Sequence, residues 1–407
     1  MESHAPEQVA AHQGKAATAA PASTVRKQLT KLIQNCARRV PFYGRHWAAL
    51  ATRLSSMQFP EQLGELPLVT KADLLAQPPD DLLDSSFSDN SLSVEKTSGS
   101  SGQPMEIHKD QASVRRRGLR FLRGLLACGY RPGQRLMLIS TRRSGGLMSY
   151  ARWHYVDLRD EQLLQEHQKI RPDVLYGPLS SLLQICDQAR RDTASLHKPS
   201  IVVSTAEQMI PAQRALLEAT FGCPVADFYG MTEFGLVAFR RPQATDFELA
   251  SDDLLLEYVP LADDSAAERL IVTDLSGGAM PLVRYDTGDL VSRNREQKGQ
   301  PIREFVGRRI DSVRMPSGDT VSPYRVTLGL ETLKLLRQYR VVQRKDLSVD
   351  VYFHCDERQV EAVRSDIANV LAGLCPGLPL RFHFEKAALL KVAGKFRPVE
   401  SEVRAGA

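Results

Sequence analysis

Between residues 114 and 229 the chain alternates helical and strand patterns four times, and this alternation strongly constrains the fold. Each helical run is amphipathic and is followed by a short, mostly apolar strand. Parallel strands need such crossover connections, so the pattern predicts a parallel sheet with helices on its faces. Ligands of such sheets bind at the carboxyl ends of the strands. The predicted helices span 114–126, 161–169, 179–189 and 211–221, and the predicted strands span 136–139, 174–176, 201–203 and 225–229.

The residues before this region predict a tail and one helix. Residues 1–23 are rich in Ala, Gln, Ser and Pro and lack periodicity, which is typical of a disordered tail. From Val25, apolar residues recur at helical spacing until Pro41, where we expect the helix to end.

The residues after the alternating region predict two further parts. Short strand patterns at 254–258, 269–272 and 282–285 predict a β-rich subdomain. From about residue 312 the chain has room for a small α+β domain, with helices at 324–336 and 357–373 and strands near 338–343, 348–354 and 380–384. We therefore expect a tail (1–23), a large N-terminal domain (24–310) and a C-terminal domain (311–407).

Composition excludes several classes of protein. Of 407 residues, 43% are hydrophobic and 25% are charged, the balance of a globular protein, so a disordered or fibrous chain is excluded. The net charge of +5 is too weak to indicate nucleic-acid binding. No apolar run is long enough for a transmembrane helix, and the N-terminus lacks a signal-peptide pattern. The six cysteines are scattered singly, which predicts reduced thiols in a cytoplasmic protein.

The segment 97–104, with the sequence TSGSSGQP, could wrap a phosphate. Its glycines permit close backbone approach, and its hydroxyl and amide groups can donate to phosphate oxygens. It is not a Walker loop, because the GxxxxGK[ST] pattern is absent. The alternative is an ordinary surface loop of small polar residues.

The segment 227–233, with the sequence DFYGMTE, ends a predicted buried strand. Tyr229 could stack on a nucleobase, Thr232 could donate to a phosphate, and Glu233 could hold Mg²⁺ beside it. The alternative is a strand that runs into a turn, with Glu233 merely solvated.

Three later segments carry weaker signals. In 284–290 (RYDTGDL), Asp289 could accept both hydroxyls of a ribose, although Gly-Asp often marks a plain turn. The segment 307–314 (GRRIDSVR) lies where the β-rich region meets the last predicted domain. Near the C-terminus, 394–397 (GKFR) places Lys395 in a loop, where a solvated charge is the ordinary alternative.

Taken in order, these five segments resemble the motifs of the adenylate-forming (ANL) superfamily, and in particular its phenylacetate-CoA ligase-like branch. Residues 40–43 (VPFY), 66–71 (LPLVTK) and 171–177 (RPDVLYG) also match that branch. The resemblance extends over about residues 25–400. It implies an α/β fold, with a large N-terminal adenylation domain of parallel sheets flanked by helices, a β-rich subdomain, and a small mobile α+β C-terminal domain.

The resemblance also implies the residues that bind the ATP phosphates and the base. The loop from Thr97 to Gly102 would cradle the β- and γ-phosphates of ATP. Tyr229 would flank the adenine, Thr232 would contact the α-phosphate, and Glu233 would help to hold Mg²⁺. The full loop comprises Thr97, Ser98, Gly99, Ser100, Ser101 and Gly102.

The remaining implied roles concern the ribose and the moving domain. Asp289 would bind the ribose hydroxyls, and Arg308 would approach the ribose and phosphate. Asp311 would be the hinge about which the C-terminal domain turns. Lys395 would bridge the carboxylate and the α-phosphate during adenylation, so the catalytic set would be Lys395, Thr232 and Glu233.

The acyl pocket is the least constrained part of the site. Trp153, Tyr176 and Ala206 lie where this branch lines that pocket, although ordinary core packing explains such residues equally well. Only about 15 residues (141–155) occupy a position where larger relatives carry a longer insertion. We therefore expect a small pocket for an aromatic acid.

The phosphate loop departs from the family at one position. The family often has Lys where this chain has Gln103, so the resemblance would leave part of the phosphate charge to Mg²⁺ and Lys395.

A basic helix face adds a further signal. Five arginines at positions 115, 116, 117, 120 and 123 lie on the predicted helix 114–126. The favoured interpretation is a solvated face, and the alternative is contact with coenzyme A phosphates.

The expected function is ATP-dependent activation of a small aromatic carboxylic acid and its transfer to coenzyme A, with ATP, Mg²⁺ and coenzyme A as cofactors. One alternative keeps adenylation but transfers the acyl group to a carrier-protein phosphopantetheine or an amine. A second alternative is a non-catalytic binding homologue. The acid and the oligomeric state are not determined by the sequence.

Overall fold

The computed structural model describes residues 22–87, 92–97, 104–140, 152–158, 160, 162–191, 196–261, 267–297, 299–308, 311–385 and 397–403. Helix α1 (Ala22–Arg39) confirms the first predicted helix, and its apolar stripe from Val25 to Cys36 is buried. Helix α2 (Pro41–His46) begins at Pro41, because proline is well tolerated in the first turn of a helix.

A short helix and a hairpin follow. Helix α3 (Lys71–Leu75) begins with a capping box, in which the side chains of Thr70 and Asp73 each accept a backbone N–H of the other residue. Strands β1 (Ser93–Lys96) and β2 (Glu106–Lys109) pair antiparallel. Short 3₁₀ turns lie at Ala48–Leu50, Leu63–Glu65 and Pro79–Leu82.

The predicted parallel sheet is confirmed. Strands β3 (Leu136–Ser140), β4 (Trp153–Asp157), β5 (Val174–Pro178), β6 (Ile201–Thr205) and β7 (Val225–Met231) are parallel, and β8 (Gly235–Arg240) and β9 (Glu248–Leu249) continue the sheet antiparallel. Among the described residues the strand order is β4-β3-β5-β6-β7-β8-β9. The helices between and before these strands are α4 (Gln111–Ala127), α5 (Leu163–Ile170), α6 (Leu179–Arg191) and α7 (Pro211–Phe221).

Both faces of this sheet are buried, which explains the continuous apolar runs of its strands. One face packs Leu175 and Val202 against apolar residues of α6 and α7, including Leu182 and Leu217. The other face packs Leu136 and Val203 against α4. The alternating region therefore forms one sheet between two helical layers.

The β-rich subdomain is also present, with a difference in its strands. Strand β10 (Leu254–Pro260) pairs antiparallel with β11 (Ala267–Asp274), and β12 (Tyr285–Arg293) pairs antiparallel with β13 (Ile302–Arg308). The predicted strand at 282–285 is wrong except for Tyr285. Arg284 has φ of 51°, outside the extended region, and the backbone N–H of Val283 donates to the Tyr43 hydroxyl at 2.9 Å.

The C-terminal part forms its own sheet and core. Strand β16 (Gln338–Gln343) lies between β17 (Val349–His354) and β19 (Val399–Ser401), and β18 (Leu380–Phe384) pairs with β17. Helix α8 (Pro323–Glu331) is shorter than predicted, and α9 (Val360–Leu374) follows a 3₁₀ turn at Glu357–Gln359. A small hairpin, β14 (Val313–Arg314) with β15 (Thr320–Val321), precedes them.

The described chain has two compact units. The first includes residues up to Arg116 together with Ser251–Pro260 and Glu268–Thr287, and the second includes Arg117–Ala250, Leu261–Ala267 and Gly288 onward. The predicted boundary between residues 310 and 311 stays a prediction, and so does the tail, because residues 1–21 lie outside the described part. Where the structure is described, no helix is long and apolar enough to cross a membrane.

Candidate active site

The motif DFYGMTE forms the end of β7 and the turn into β8. The backbone N–H of Phe234 donates to the carbonyl of Met231 at 3.3 Å, so Thr232 and Glu233 are the two central residues of a tight turn. The side chain of Phe234 is fully buried beneath this turn. Gly235 follows with φ of +75°, a conformation that glycine adopts without strain.

Asp289 and Arg308 are directly opposed on neighbouring strands β12 and β13. Nε of Arg308 lies 3.1 Å from Oδ1 of Asp289. The hydroxyl of Tyr229, from β7, donates to Oδ2 of the same carboxylate at 2.5 Å. Three residues from three separate motifs therefore meet at one carboxylate, and their roles in a nucleotide site stay predictions.

The charges near Arg308 favour its protonated form. The carboxylate of Asp289 raises the pKa of the Arg308 guanidinium above its ordinary value, against the opposing effect of burial. Tyr229, Asp311 and Glu233 raise this pKa further. The structure thus places Arg308 among the predicted ribose, hinge and magnesium residues, all of which belong to the second compact unit.

The ring of Tyr229 stacks on the ring of Phe305, a residue of β13. Its centroid lies 3.7 Å from that of Phe305, with an interplanar angle of 14°. Phe305 in turn meets the edge of Phe247 at 4.8 Å. Sequence analysis missed Phe305, because nothing in its own segment indicates which strand β13 faces.

An ion-pair network, in which Arg240 and Asp227 are buried and Glu304 is partly exposed, adjoins these rings. Arg240, on β8, donates to Asp227 at 3.1 Å and to Glu304 at 2.5 Å, and its guanidinium lies 4.6 Å from the centre of the Phe247 ring. Asp227 begins the DFYGMTE motif, and Glu304 precedes Phe305. The network therefore ties β7 and β8 to the strand that carries Phe305.

Asp311, the predicted hinge, is buried and paired. Nη1 of Arg397 donates to Oδ1 of Asp311 at 2.8 Å. Burial raises the pKa of Asp311 from 3.8 to about 6, although the charge of Arg397 acts in the opposite direction. Arg397 belongs to the GKFR motif, so the pair connects two of the predicted motifs.

The basic face of α4 is not simply solvated, so the favoured interpretation is wrong for two of its residues. Arg120 is buried and donates to the carbonyl of Phe234 at 2.9 Å, and Arg117 donates to the carbonyls of Thr232 and Glu233. Arg115 and Arg123 are exposed, as a solvated face predicts.

The residues of the motif RYDTGDL have two different kinds of contact. Arg284 forms a buried ion pair with Glu257, with Nη2 2.9 Å from Oε1, and also donates to the carbonyls of Gly64 and Leu66. Asp286 pairs with Arg269. The first half of the motif therefore stabilises the fold of its own unit, and only Asp289 reaches the predicted site.

Thr97, the first residue of the predicted phosphate loop, is hydrogen-bonded to Met105 beyond the other end of that loop. Its hydroxyl accepts the backbone N–H of Met105 at 2.9 Å, and its own N–H donates to the Met105 carbonyl at 2.9 Å. Ser98, Gly99, Ser100, Ser101 and Gly102 lie outside the described residues, and so does Lys395. Their roles stay predictions.

The three predicted pocket residues do not lie at one edge of the sheet. Ala206 follows the carboxyl end of β6 and Tyr176 is the middle residue of β5, whereas Trp153 begins β4 at the opposite, amino edge. The ring of Tyr176 meets Phe121 edge-on at 5.1 Å and Phe228 at 6.0 Å. Trp153 is buried, and its indole N–H donates to the Tyr130 hydroxyl at 2.9 Å, which fits the core-packing alternative. Ala206 is exposed, with φ of +68°. Lining of an acyl pocket stays a prediction for all three predicted residues.

The residues present fit a magnesium ion only together with phosphates. Among the described residues, no group of three or more His, Cys, Asp or Glu side chains could hold a metal. Mg²⁺ is commonly bound through one or two carboxylates and the phosphates of its nucleotide. Glu233, buried in the turn beside Thr232, can supply one such carboxylate.

Comparison with curated proteins finds similar enzymes. The chain is 22% identical to the phenylacetate-coenzyme A ligase of Pseudomonas putida over 389 residues, which is 86% of this chain and 87% of that protein. It is 28% identical to the phenylacetate-coenzyme A ligase of Aromatoleum evansii over 223 residues, 52% of this chain and 49% of that protein. The chain thus spans about half of the second relative's length. No family model matches.

Comparison with solved structures finds the same fold in two CoA ligases. A 2-hydroxyisobutyryl-CoA ligase in complex with R3-HIB-AMP covers 98% of this chain and 94% of its own, with a TM-score of 0.74 and 16% identity. An anthranilate CoA ligase in complex with anthranoyl-AMP covers 82% and 73%, with a TM-score of 0.54 and 16% identity. These similarities confirm the predicted resemblance. The mixed α/β fold of the chain is that of the acyl-CoA ligases of the adenylate-forming superfamily.

Proposed function

We propose that this chain is an AMP-forming acid–thiol ligase that activates a small aromatic carboxylic acid and transfers it to coenzyme A. Support comes from the relatives, which are named as phenylacetate-CoA ligases. The observation that carries the proposal is the meeting of Tyr229, Asp289 and Arg308 at one buried carboxylate.

The arrangement around Asp289 suits a ribose. A carboxylate has about four acceptor positions, so engagement of each oxygen by one protein donor is compatible with acceptance of a diol. Tyr229 and Arg308 hold the carboxylate in one orientation. Because its donors fix it before the nucleotide arrives, Asp289 would bind the diol without a large loss of side-chain entropy.

The first half-reaction joins two anions. The acid's carboxylate oxygen attacks the α-phosphorus of ATP, an O–P bond forms, the bond to the bridging oxygen breaks, and pyrophosphate leaves. The protein supplies position and positive charge rather than a covalent nucleophile. Thr232 would donate to the α-phosphate and Arg308 would approach it, with Lys395 bridging the two anions. Mg²⁺ would neutralise phosphate charge when held beside Glu233.

The second half-reaction releases AMP. The thiol sulfur of coenzyme A attacks the acyl carbon, the bond between that carbon and the AMP oxygen breaks, and the thiol proton passes to solvent. Asp311 would be the hinge that exchanges the two arrangements, with 24–310 and 311–407 as the adenylation and lid domains. Withdrawal of Lys395 would clear a path for the thiol.

The aromatic cluster beside the sheet supports an aromatic acid. Phe121, Tyr176 and Phe228 meet edge-to-face, and apolar walls bind a ring in proportion to the area buried, at roughly 25 cal/mol per Å². Ala206, which follows the carboxyl end of β6, would complete the pocket. We place the reaction in the cytoplasm, in keeping with the six free cysteines.

Two assays test the proposal. Pyrophosphate exchange over a panel of benzoate-, phenylacetate- and anthranilate-sized acids should show acid-dependent exchange of label into ATP. Addition of coenzyme A should then give the thioester and AMP. Exchange without a thioester would favour a carrier protein or an amine as acceptor. An absence of exchange with every acid, in a protein that still binds ATP, would favour the non-catalytic alternative.

A further inference from the structure

We propose that Arg117 and Arg120 are positioning residues, which set the direction of the Thr232 and Glu233 side chains by holding the backbone of their turn. The inference rests on the proposed function for the roles of Thr232 and Glu233, but its geometry stands independently. It assigns to two arginines of helix α4 a part in the adenylation step that their sequence pattern does not indicate.

Three consecutive peptide carbonyls receive donors from these arginines. Nη1 of Arg117 donates to the carbonyl of Thr232 at 2.6 Å, and Nη2 donates to the carbonyl of Glu233. Nη1 of Arg120 donates to the carbonyl of Phe234 at 2.9 Å. A guanidinium presents its donors in a rigid plane, so one arginine can fix two neighbouring carbonyls at once.

Fixing these carbonyls fixes the direction of Glu233. Peptide bonds are planar, so the carbonyls of Thr232 and Glu233 set the orientation of the peptide planes on both sides of the Glu233 Cα. With both planes held, the Cα–Cβ bond of Glu233 has one direction. The side chain that would carry Mg²⁺ then varies only in its own rotamers.

Helix α4 lies close enough to hold the turn because two glycines allow the approach. A Cβ at Gly124 would lie 2.6 Å from Cδ2 of Leu236 and 3.0 Å from Cζ of Phe228. A Cβ at Gly235 would lie 3.1 Å from Cγ of Arg117. The side chain of Arg117 therefore passes directly over Gly235 to reach the turn.

The test compares Arg117→Met and Arg117→Lys with the wild type and with Arg190→Met. Arg190 is a matched control, because it lies on α6 with an exposed side chain and pairs with Asp187 on the surface. The conservative lysine variant keeps the charge but loses the planar pair of donors.

Kinetics separate positioning from a structural role. In pyrophosphate exchange we expect Arg117→Met and Arg117→Lys to lose roughly 10- to 100-fold in kcat, with the KM for ATP changed less than about threefold. The Mg²⁺ concentration that gives half-maximal rate should rise several-fold. Added guanidinium ion should restore part of the kcat of Arg117→Met, and Arg190→Met should behave as the wild type.

Hydrogen–deuterium exchange tests the geometry without any activity. Peptides that cover residues 229–236 should exchange faster in Arg117→Met than in wild type, and those from β16 and β17 should not change. Unchanged exchange in 229–236, or kinetics equal to those of Arg190→Met, would overturn the inference. If the wild type shows no pyrophosphate exchange, the proposed function fails, and the deuterium measurement still decides the positioning of the turn. If Arg117→Met does not fold, Arg117→Lys carries both measurements.

Discussion

The hydroxyl of Tyr229 donates to Oδ2 of Asp289 at 2.5 Å and so joins two motifs that lie 60 residues apart in the chain. Arg308 holds the other oxygen of the same carboxylate. The contact gives the predicted ribose site a defined orientation, and it allows the contributions of the carboxylate and of its hydroxyl donor to be measured separately.

Replacement of Asp289 by asparagine should weaken ATP binding selectively. Hydrogen bonds to a charged acceptor contribute about 1.5–3 kcal/mol, so Asp289→Asn should raise the KM for ATP by roughly 10- to 100-fold. The KM for the acid should change less than about threefold, because the acid does not contact this carboxylate. Steady-state kinetics with Asp187→Asn provides the control, because this α6 carboxylate pairs with the exposed Arg190 and Arg191 and has no part in the proposed site. An equal rise in both KM values would show that Asp289 does not bind the ribose.

Replacement of Tyr229 by phenylalanine should have a smaller effect. Tyr229→Phe removes one hydrogen bond but keeps the ring that stacks on Phe305 at 3.7 Å. A typical intramolecular hydrogen bond contributes about 0.5–1.5 kcal/mol, so the KM for ATP should rise roughly two- to tenfold. A rise as large as that of Asp289→Asn would contradict this ranking.

Loss of Arg240 should destabilise the protein. Arg240→Met leaves the carboxylates of Asp227 and Glu304 without their shared guanidinium, which typically costs about 3–5 kcal/mol of unfolding free energy. Urea denaturation measures the change. Arg241→Met is the matched control, because Arg241 pairs with Glu248 on the surface, where ion pairs contribute about 0–1 kcal/mol.

The pH dependence of this variant has a defined sign. Burial raises the pKa of both Asp227 and Glu304, so the folded state favours their protonated forms and this contribution to stability is lost as pH rises. Without Arg240 both pKa values should rise further. The deficit of Arg240→Met should therefore shrink as the pH is lowered from 7 to 5. A deficit that stays constant over this range would show that the loss does not come from unpaired carboxylates. The double variant Arg240→Met with Asp227→Asn should regain part of the stability, because the uncharged amide needs no guanidinium partner.

Asp311 should make stability depend on pH in a narrow window. Its pKa rises from 3.8 to about 6 because burial penalises the charged form. The folded state therefore binds more protons than the unfolded state between pH 4 and 6, and stability should fall across this window as pH rises, by on the order of 2–3 kcal/mol. In Asp311→Asn the fall should be smaller by this amount, and the part that remains comes from other buried carboxyls such as Asp227. Denaturation of both proteins at pH 4, 5, 6 and 7 checks it, and parallel curves would be the contrary result.

The acyl pocket should accept small aromatic acids and reject long chains. We expect efficient activation of benzoate- or phenylacetate-sized acids and little activation of fatty acids with ten or more carbons. Tyr176→Leu should lower kcat/KM for aromatic acids by roughly two- to tenfold, through loss of aromatic packing worth about 0.5–1.5 kcal/mol. The KM for ATP, measured on the same protein, is the internal control. Efficient use of palmitate-length acids would place the pocket elsewhere. Ala206→Leu is a poor probe, because φ of +68° strains any larger side chain.

Local sequence patterns were enough to predict the helices and strands of the central sheet. The apolar strands β3, β5, β6 and β7 and the helices α4–α7 were predictable because burial on both faces and amphipathic spacing leave direct marks on the chain. The resemblance to the adenylate-forming superfamily implied that Tyr229, Asp289 and Arg308 would share one site. The edge strand β4 and the strand β13 were not predicted.

Only the tertiary structure decided which motif residues stabilise the fold and which reach the site. Arg284 and Asp286 resemble functional residues in sequence, yet both are engaged in buried ion pairs. Arg117 and Arg120 resemble a solvated face, yet they donate to the turn of Thr232 and Glu233. The sequence pattern around an arginine is the same whether its side chain contacts water or donates to a carbonyl more than a hundred residues away. The packing of α4 against the β7–β8 hairpin decides which partner the arginine has. This packing depends on the close approaches at Gly124 and Gly235, which involve residues far apart in the sequence.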